Sequence, residues 1–271
     1  MQLLITVIFS KIIILHAGSL NSFISEMARE FQRKSGIEVV RRSAGSLMLA
    51  NLIIEKRVDW DIFFSADYQI LQNLLVDFAE SPHPFARNEI VIAYTERSPY
   101  SKELSQENWY KILSKKGLRI GRSNPRFDPC GYRVILLLEI VRKIYGENVY
   151  NDLKENLKDK YVRPGTSQVL NLLEMGEVDY VFTYLSEAKT RNLPYIAFSD
   201  TLNFGNPDLS DFYRSFRVKI NNIEIAGAPI IYAYAINPRS KNRREILEFL
   251  KFFESQREKL IIKHNLIPTT K

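Results

Sequence analysis

Apolar residues along this chain alternate between short continuous runs and stripes at helical spacing. Lys11-Ile-Ile-Ile-Leu-His16 is a continuous run of the length expected for a strand buried on both faces. It gives way to Ala17-Gly-Ser-Leu20, and then Phe23, Met27 and Phe31 follow at helical spacing until Gly36. The grammar repeats: a strand over Glu38–Arg42, the turn Ser43-Ala-Gly-Ser-Leu47, and a helix through Leu49, Leu52 and Ile53. It repeats again with Trp60–Phe64, Ser65-Ala-Asp-Tyr68 and a helix to about Phe78. Strand, small-residue turn and helix in this order predict an α/β protein with an open parallel sheet. Such sheets bind ligands at the carboxyl ends of their strands.

The pattern changes around Pro82 and Pro84. Strands are predicted over Asn88–Tyr94, Gly117–Gly121, Asp179–Tyr184 and Ala228–Ile236. Between them lie an irregular stretch around Trp109, a polar helix over 148–160 and an amphipathic helix carrying Val169, Leu172 and Leu173 that Gly176 ends. A helix led by Ser186 follows the strand at Tyr184. Arg244–Lys263 forms a closing helix with Ile246, Phe249, Leu250 and Phe253 on its inner face. After Arg126-Phe-Asp-Pro-Cys-Gly-Tyr-Arg133, Ile135, Leu138, Val141 and Ile144 recur at helical spacing, so a helix starts there.

The junctions carry the chemistry. Asp128 suits the N-cap and Pro129 the first helical position, leaving a helix N-terminus that favours an oxyanion. An ordinary capped helix is the alternative. Ser19 and Ser46 each follow a glycine at a strand-to-helix junction. Each either caps its own helix or donates its hydroxyl to an anion beside the first N–H groups. The same four letters, AGSL, at two equivalent junctions favour a shared function. Neither turn matches the glycine patterns of dinucleotide or nucleoside triphosphate sites.

Composition adds exclusions. The chain has 271 residues, 45% hydrophobic and 25% charged, as in a globular protein with a sizeable core. Its net charge of +7 is spread and mixed with acids, which gives a field mildly favourable to anions and no nucleic-acid stripe. The single cysteine, Cys130, excludes an internal disulfide; three histidines without CxxC or HExxH spacing argue against a dedicated zinc site. Met1–Phe9 reads equally as a signal-type apolar segment or a lead into the first strand.

Taken together, HAGSL, SAGSLMLANLI, FFSADY, DPCGYR, RPGTS, DYVFTYLSEA and GAPIIYAYAI resemble the solute-binding proteins of molybdate/tungstate ABC transporters, the archaeal-type branch above all. The resemblance runs from about Lys11 to Pro268. It implies a type II periplasmic-binding-protein-like fold, two lobes with mixed sheets flanked by helices and a ligand cleft between them. The first lobe would comprise 1–90 and 228–271 and the second 91–227, with hinges near 86–94 and 226–236. It further implies an extracytoplasmic monomer that captures molybdate or tungstate for a membrane permease, with no cofactor and no nucleic acid. Carried over by position, Ser19 and Ser46 donate from the first lobe. The backbone at Cys130, Gly131 and Arg163 and the Tyr184 hydroxyl donate from the second. Asp128 stands where that branch supplies a carboxylate to the metal centre. Thr183 stands where the branch usually carries a second carboxylate, a glutamate, and Glu187 lies one helical turn further on.

Three rival readings stay open. A phosphate- or sulfate-binding protein of the same fold differs only in the anion. A cysteine-nucleophile enzyme would use Cys130 at its helix N-terminus, with His16 the one histidine near a strand end. An intracellular anion-sensing domain would share the fold, but no helix-turn-helix module precedes Ile12.

Overall fold

The computed structural model describes residues 10–269. The apolar stretch Met1–Phe9 lies outside them. Among the described residues no helix is long and apolar enough to cross a membrane.

The first lobe opens with β1 (Lys11–Ala17), α1 (Asn21–Ser35), β2 (Glu38–Ala44), α2 (Ser46–Ile54) and β3 (Ile62–Ser65). β1 pairs in parallel with both β2 and β3, so the turns after all three strands gather along one edge. The third predicted helix is a correction: after β3 the chain makes only a wide helical turn over Ile70–Leu74 and then turns. Ile70, Leu71 and Leu75 are buried, and a single turn suffices to cover that end of the sheet. β4 (His83–Arg87) was not legible because Pro82 and Pro84 read as breakers. It tolerates Pro84 because the ladder is irregular there, with a bulge opposite Tyr232 and Ala233.

The chain crosses into the second lobe between Arg87 and Ile90. There follow β5 (Ile90–Tyr94), α3 (Trp109–Leu113), β6 (Ile120–Ser123), α4 (Pro129–Tyr145), α5 (Glu147–Asn156) and β7 (Val162–Arg163). Next come α6 (Thr166–Glu174), β8 (Tyr180–Tyr184), α7 (Leu185–Thr190), β9 (Tyr195–Ala197), α8 (Asp200–Asn203) and α9 (Ser210–Arg214). The hairpin β10 (Arg217–Ile220) and β11 (Ile223–Ala226) leads back to β12 (Ile231–Ile236), α10 (Arg243–Lys263) and β13 (Ile267–Pro268) in the first lobe. The first sheet has the order β13-β4-β12-β3-β1-β2 and the second β7-β6-β8-β5-β9. Both are mixed, since β12 runs antiparallel to β3 and β5 antiparallel to β8.

α1 and α10 cover one face of the first sheet, where Phe23, Phe64, Phe85 and Phe253 pack in stacked, tilted and edge-to-face pairs. Each such ring removed from water contributes about 1.5–3 kcal/mol. The four positions read as the inner face of α10 are all buried. α4 is different: Ile144 is 47% exposed, and burial extends to Val134, Leu137 and Ile140 off the predicted stripe. This helix is enclosed on most sides, so no single stripe describes it.

Candidate functional site

The turns after β1, β2 and β3 face the loops after β6 and β8 and the start of α6 across the cleft between the lobes. Neither AGSL serine caps its helix. Ser46, fully buried, accepts a hydrogen bond on Oγ from the Ala66 N–H at 3.0 Å. Ser19 Oγ accepts from the Tyr232 hydroxyl at 2.9 Å. In the second lobe the buried Tyr184 hydroxyl accepts from Arg133 Nη1 at 2.8 Å. A hydroxyl has one proton to give. All three oxygens are already used as acceptors, so in each case the proton remains to be donated. Burial, the largest influence on Tyr184, holds its pKa well above the ordinary phenol value, so that proton stays in place.

The lobes touch directly around these hydroxyls. The Phe127 carbonyl of the second lobe accepts from the Leu47 and Met48 N–H groups, both at 3.1 Å, and so occupies the N-terminus of α2. Gly45 is required for this: a Cβ there would stand 2.2 Å from the Phe127 oxygen. Asp67, after β3, lies against Arg133 of α4 with Nη2 to Oδ2 at 2.9 Å, and the two side chains are 5% and 2% exposed. The Tyr132 hydroxyl donates to the same Oδ2, the Gln69 N–H to Oδ1 at 2.8 Å, and Arg133 Nη1 reaches the Ala66 carbonyl at 3.2 Å. Burial opposes the charge on Arg133, but Asp67, Tyr184 and Tyr132 outweigh it and its pKa rises.

Asp128 caps α4, as read from the sequence, with Oδ1 accepting from the Cys130 N–H at 2.9 Å. Oδ2 also accepts from the Thr166 N–H at 3.2 Å, so one carboxylate joins the N-termini of α4 and α6. Burial and then the Glu187 carboxylate raise its pKa to about 7, against the lowering effect of those N–H groups. Cys130 and Gly131 are expected to donate backbone N–H groups to a ligand; in this structure both N–H groups have partners within the chain. The Cys130 N–H is held by Asp128 Oδ1 and the Gly131 N–H by the Asp128 carbonyl at 3.0 Å. What Gly131 admits is the chain itself, since a Cβ would stand 2.5 Å from the Ser123 carbonyl. The Arg163 carbonyl accepts from Asn124 at 2.7 Å, and its guanidinium folds back on the Lys160 and Val162 carbonyls.

Thr183 is fully buried in β8. Glu187, in the first turn of α7, is 8% exposed; Ser167 donates to its Oε1 at 2.8 Å, and the Thr166 and Thr183 hydroxyls lie beside the carboxylate and oppose the rise of its pKa. Burial raises its pKa. Glu187, Ser167 and Ser19 line a cavity of about 200 Å³ whose rim carries Arg191 and His264. A nucleophile at Cys130 finds no support: burial pushes its thiol well up, and Sγ lies 3.9 Å from the Phe182 carbonyl. His16 is held neutral, burial lowering its pKa to about 4, with Nδ1 on the Ala17 carbonyl.

Four residues of the site escaped the sequence reading. Asp67, Tyr132 and Arg133 lie inside FFSADY and DPCGYR, yet their pairing spans 65 or more positions and leaves no local trace. Asn88 was read only as the start of a strand. An arginine opening an otherwise apolar helix was the one available signal.

Two α/β lobes, each built on a mixed sheet, have the architecture of a solute-binding protein. The chain belongs to the family described as Bacterial extracellular solute-binding protein, which matches residues 12–265. It is similar to the molybdate/tungstate-binding protein WtpA of Pyrococcus abyssi, 32% identical over 94% of this chain and 83% of that one. An uncharacterized solute-binding protein of Petrotoga mobilis is 32% identical over 97% of this chain and 84% of its own length. Among solved structures, the periplasmic molybdate-binding protein of Azotobacter vinelandii superposes with a TM-score of 0.72. It has 16% identity and covers 96% of this chain and 100% of that one. The sulfate-binding protein SubI of Mycobacterium tuberculosis gives 0.69 at 11% identity, over 96% and 87% of the two chains.

Proposed function

We propose that the protein captures molybdate or tungstate in this cleft, outside the cytoplasm, and delivers it as a monomer to an ABC importer in the membrane, without catalysis. The observation that carries this is the direction of the three hydroxyls. Ser19, Ser46 and Tyr184 each have an acceptor position filled, so they present donors to the ligand. A fully deprotonated oxyanion accepts at every oxygen and asks for nothing else. The cleft brings no unpaired cation to it: Arg133 is neutralised by Asp67. The similarity to WtpA supports the choice of metal oxyanion. Asp128 is the carboxylate assigned towards the metal centre, held by the Cys130 and Thr166 N–H groups, and the backbone at Cys130 and Gly131 stands beside it.

Removing one donor to a desolvated anion costs about 1.5–3 kcal/mol. Ser19→Ala and Ser46→Ala are therefore expected to weaken tungstate binding by about 10- to 150-fold each, with unchanged circular dichroism. Wild-type affinity in both variants would return the serines to a purely structural role. One observation favours phosphate as a second reading. The buried Glu187 carboxylate lines the cavity beside Ser19, and a carboxylate there would suit the proton that phosphate keeps near neutral pH.

A further inference from the structure

Asn88 lies at the crossing from β4 to β5, fully buried, and its carboxamide is used completely. Oδ1 accepts from the Glu89 N–H at 2.9 Å and the Ser186 N–H at 3.3 Å. Those two donors settle which end of the amide is which, because an amide nitrogen in that place would face two N–H groups. The two Nδ2 hydrogens then go to hydroxyl oxygens, Ser186 Oγ at 2.7 Å and the Tyr232 OH at 3.0 Å. Ser186 stands at the start of α7 in the second lobe and Tyr232 on β12 in the first.

The consequence runs down the chain of bonds. The Tyr232 oxygen is filled by Asn88, so its proton goes to Ser19 Oγ, and Ser19 is filled in turn. Ser186 Oγ is likewise filled, and its proton has no protein acceptor among the described residues. We propose that Asn88 is the positioning residue that sets the hydrogen-bond polarity of the oxyanion cleft, sending one amide hydrogen into each lobe. Asn88 does not touch the anion; it acts through Tyr232 and Ser19 on one side and through Ser186 on the other. Hydrogen bonds in series polarise one another, so a donor at the crossing also strengthens the donors at the end of the chain.

This rests on the oxyanion reading of the cleft, and the test keeps the two apart. Calorimetric titration with tungstate is done first on the wild type, and failure to bind there counts against the oxyanion reading. Asn88→Asp has the same shape but only acceptors. Tyr232 and Ser186 must then donate to it, Ser19 must donate to Tyr232, and Ser19 turns a lone pair to the anion. The expected loss is about 100-fold or more, from a donor turned into a repelling acceptor beside a desolvated charge. A new carboxylate also repels the anion directly, so the relay is read from two cycles. With Tyr232→Phe present, Asn88→Asp should cost at least about fivefold less than in the wild type. With Ser19→Ala present, Tyr232→Phe should cost nothing further, although alone it costs several-fold. The second cycle tests the Tyr232–Ser19 link, and if Asn88→Asp does not fold, Asn88→Ala takes its place in the first cycle. Losses that simply multiply in both cycles would overturn the inference.

Discussion

Arg133→Met is expected to weaken tungstate binding by about 3–5 kcal/mol, the cost of leaving one member of a buried ion pair alone. Asp67 and Arg133 come from different lobes, and their side chains are 5% and 2% exposed where the lobes meet. Without the guanidinium, Asp67 keeps only the Tyr132 hydroxyl and the Gln69 N–H in the closed cleft. With the lobes apart it is hydrated, so the penalty falls on closure. Tyr184 also loses the donor that orients its hydroxyl. The ligand-free protein should therefore melt close to the wild type while affinity drops by 100-fold or more, by about 1.4 kcal/mol per factor of ten. Adding Asp67→Leu removes the stranded charge and should restore part of the affinity, because an apolar replacement of a whole buried pair is nearly neutral. Equal losses in the single and double variants would show that the pair has no part in closure.

Saturating tungstate is expected to reduce the radius of gyration in solution scattering and to raise the melting temperature. On the proposed reading the donors lie on both lobes, Ser19 and Ser46 on one and Tyr184 on the other, so the anion should bind the closed form better and shift the population towards it. The contacts that would be lost on opening are Phe127 on the N-terminus of α2, Gly45 against its carbonyl, and Asp67 on Arg133. Few residues join the lobes, at 87–90 and 226–231, and hinges of this kind absorb the motion in a handful of φ and ψ angles. A thousandfold excess over Kd adds about 4 kcal/mol to the folded state. For a chain of this size that corresponds to roughly 2–4 °C per kcal/mol. An unchanged scattering curve at saturation would rule out closure on the ligand.

The elements that the sequence reveals are those with local causes. β1 is a continuous apolar run, α1 ends at Gly36, and α4 starts at Asp128 and Pro129, as a cap and a missing N–H dictate. β4 was missed because the bulge opposite Tyr232 and Ala233 that accommodates Pro84 belongs to another segment. Ser19, Ser46 and Tyr184 are legible as candidates, while the groups that fill their acceptor positions are not. Those groups, Tyr232, the Ala66 N–H and Arg133, are separated from them by up to 213 positions. The partners of the Cys130 and Gly131 N–H groups are hidden for the converse cause. A helix N-terminus looks free in a sequence, and whether the Asp128 side chain takes the Cys130 N–H depends on a rotamer.

Calorimetric titration of the wild-type protein with tungstate, molybdate, sulfate and phosphate in turn tests the central claim most directly. A cleft of hydroxyl donors built for a large, fully deprotonated tetrahedral anion predicts tight binding of tungstate and molybdate. It predicts weak binding of sulfate, which is smaller, and of phosphate, whose retained proton meets donors. Phosphate binding as tight as tungstate would contradict the account and would make the buried Glu187 carboxylate the group that selects the ligand.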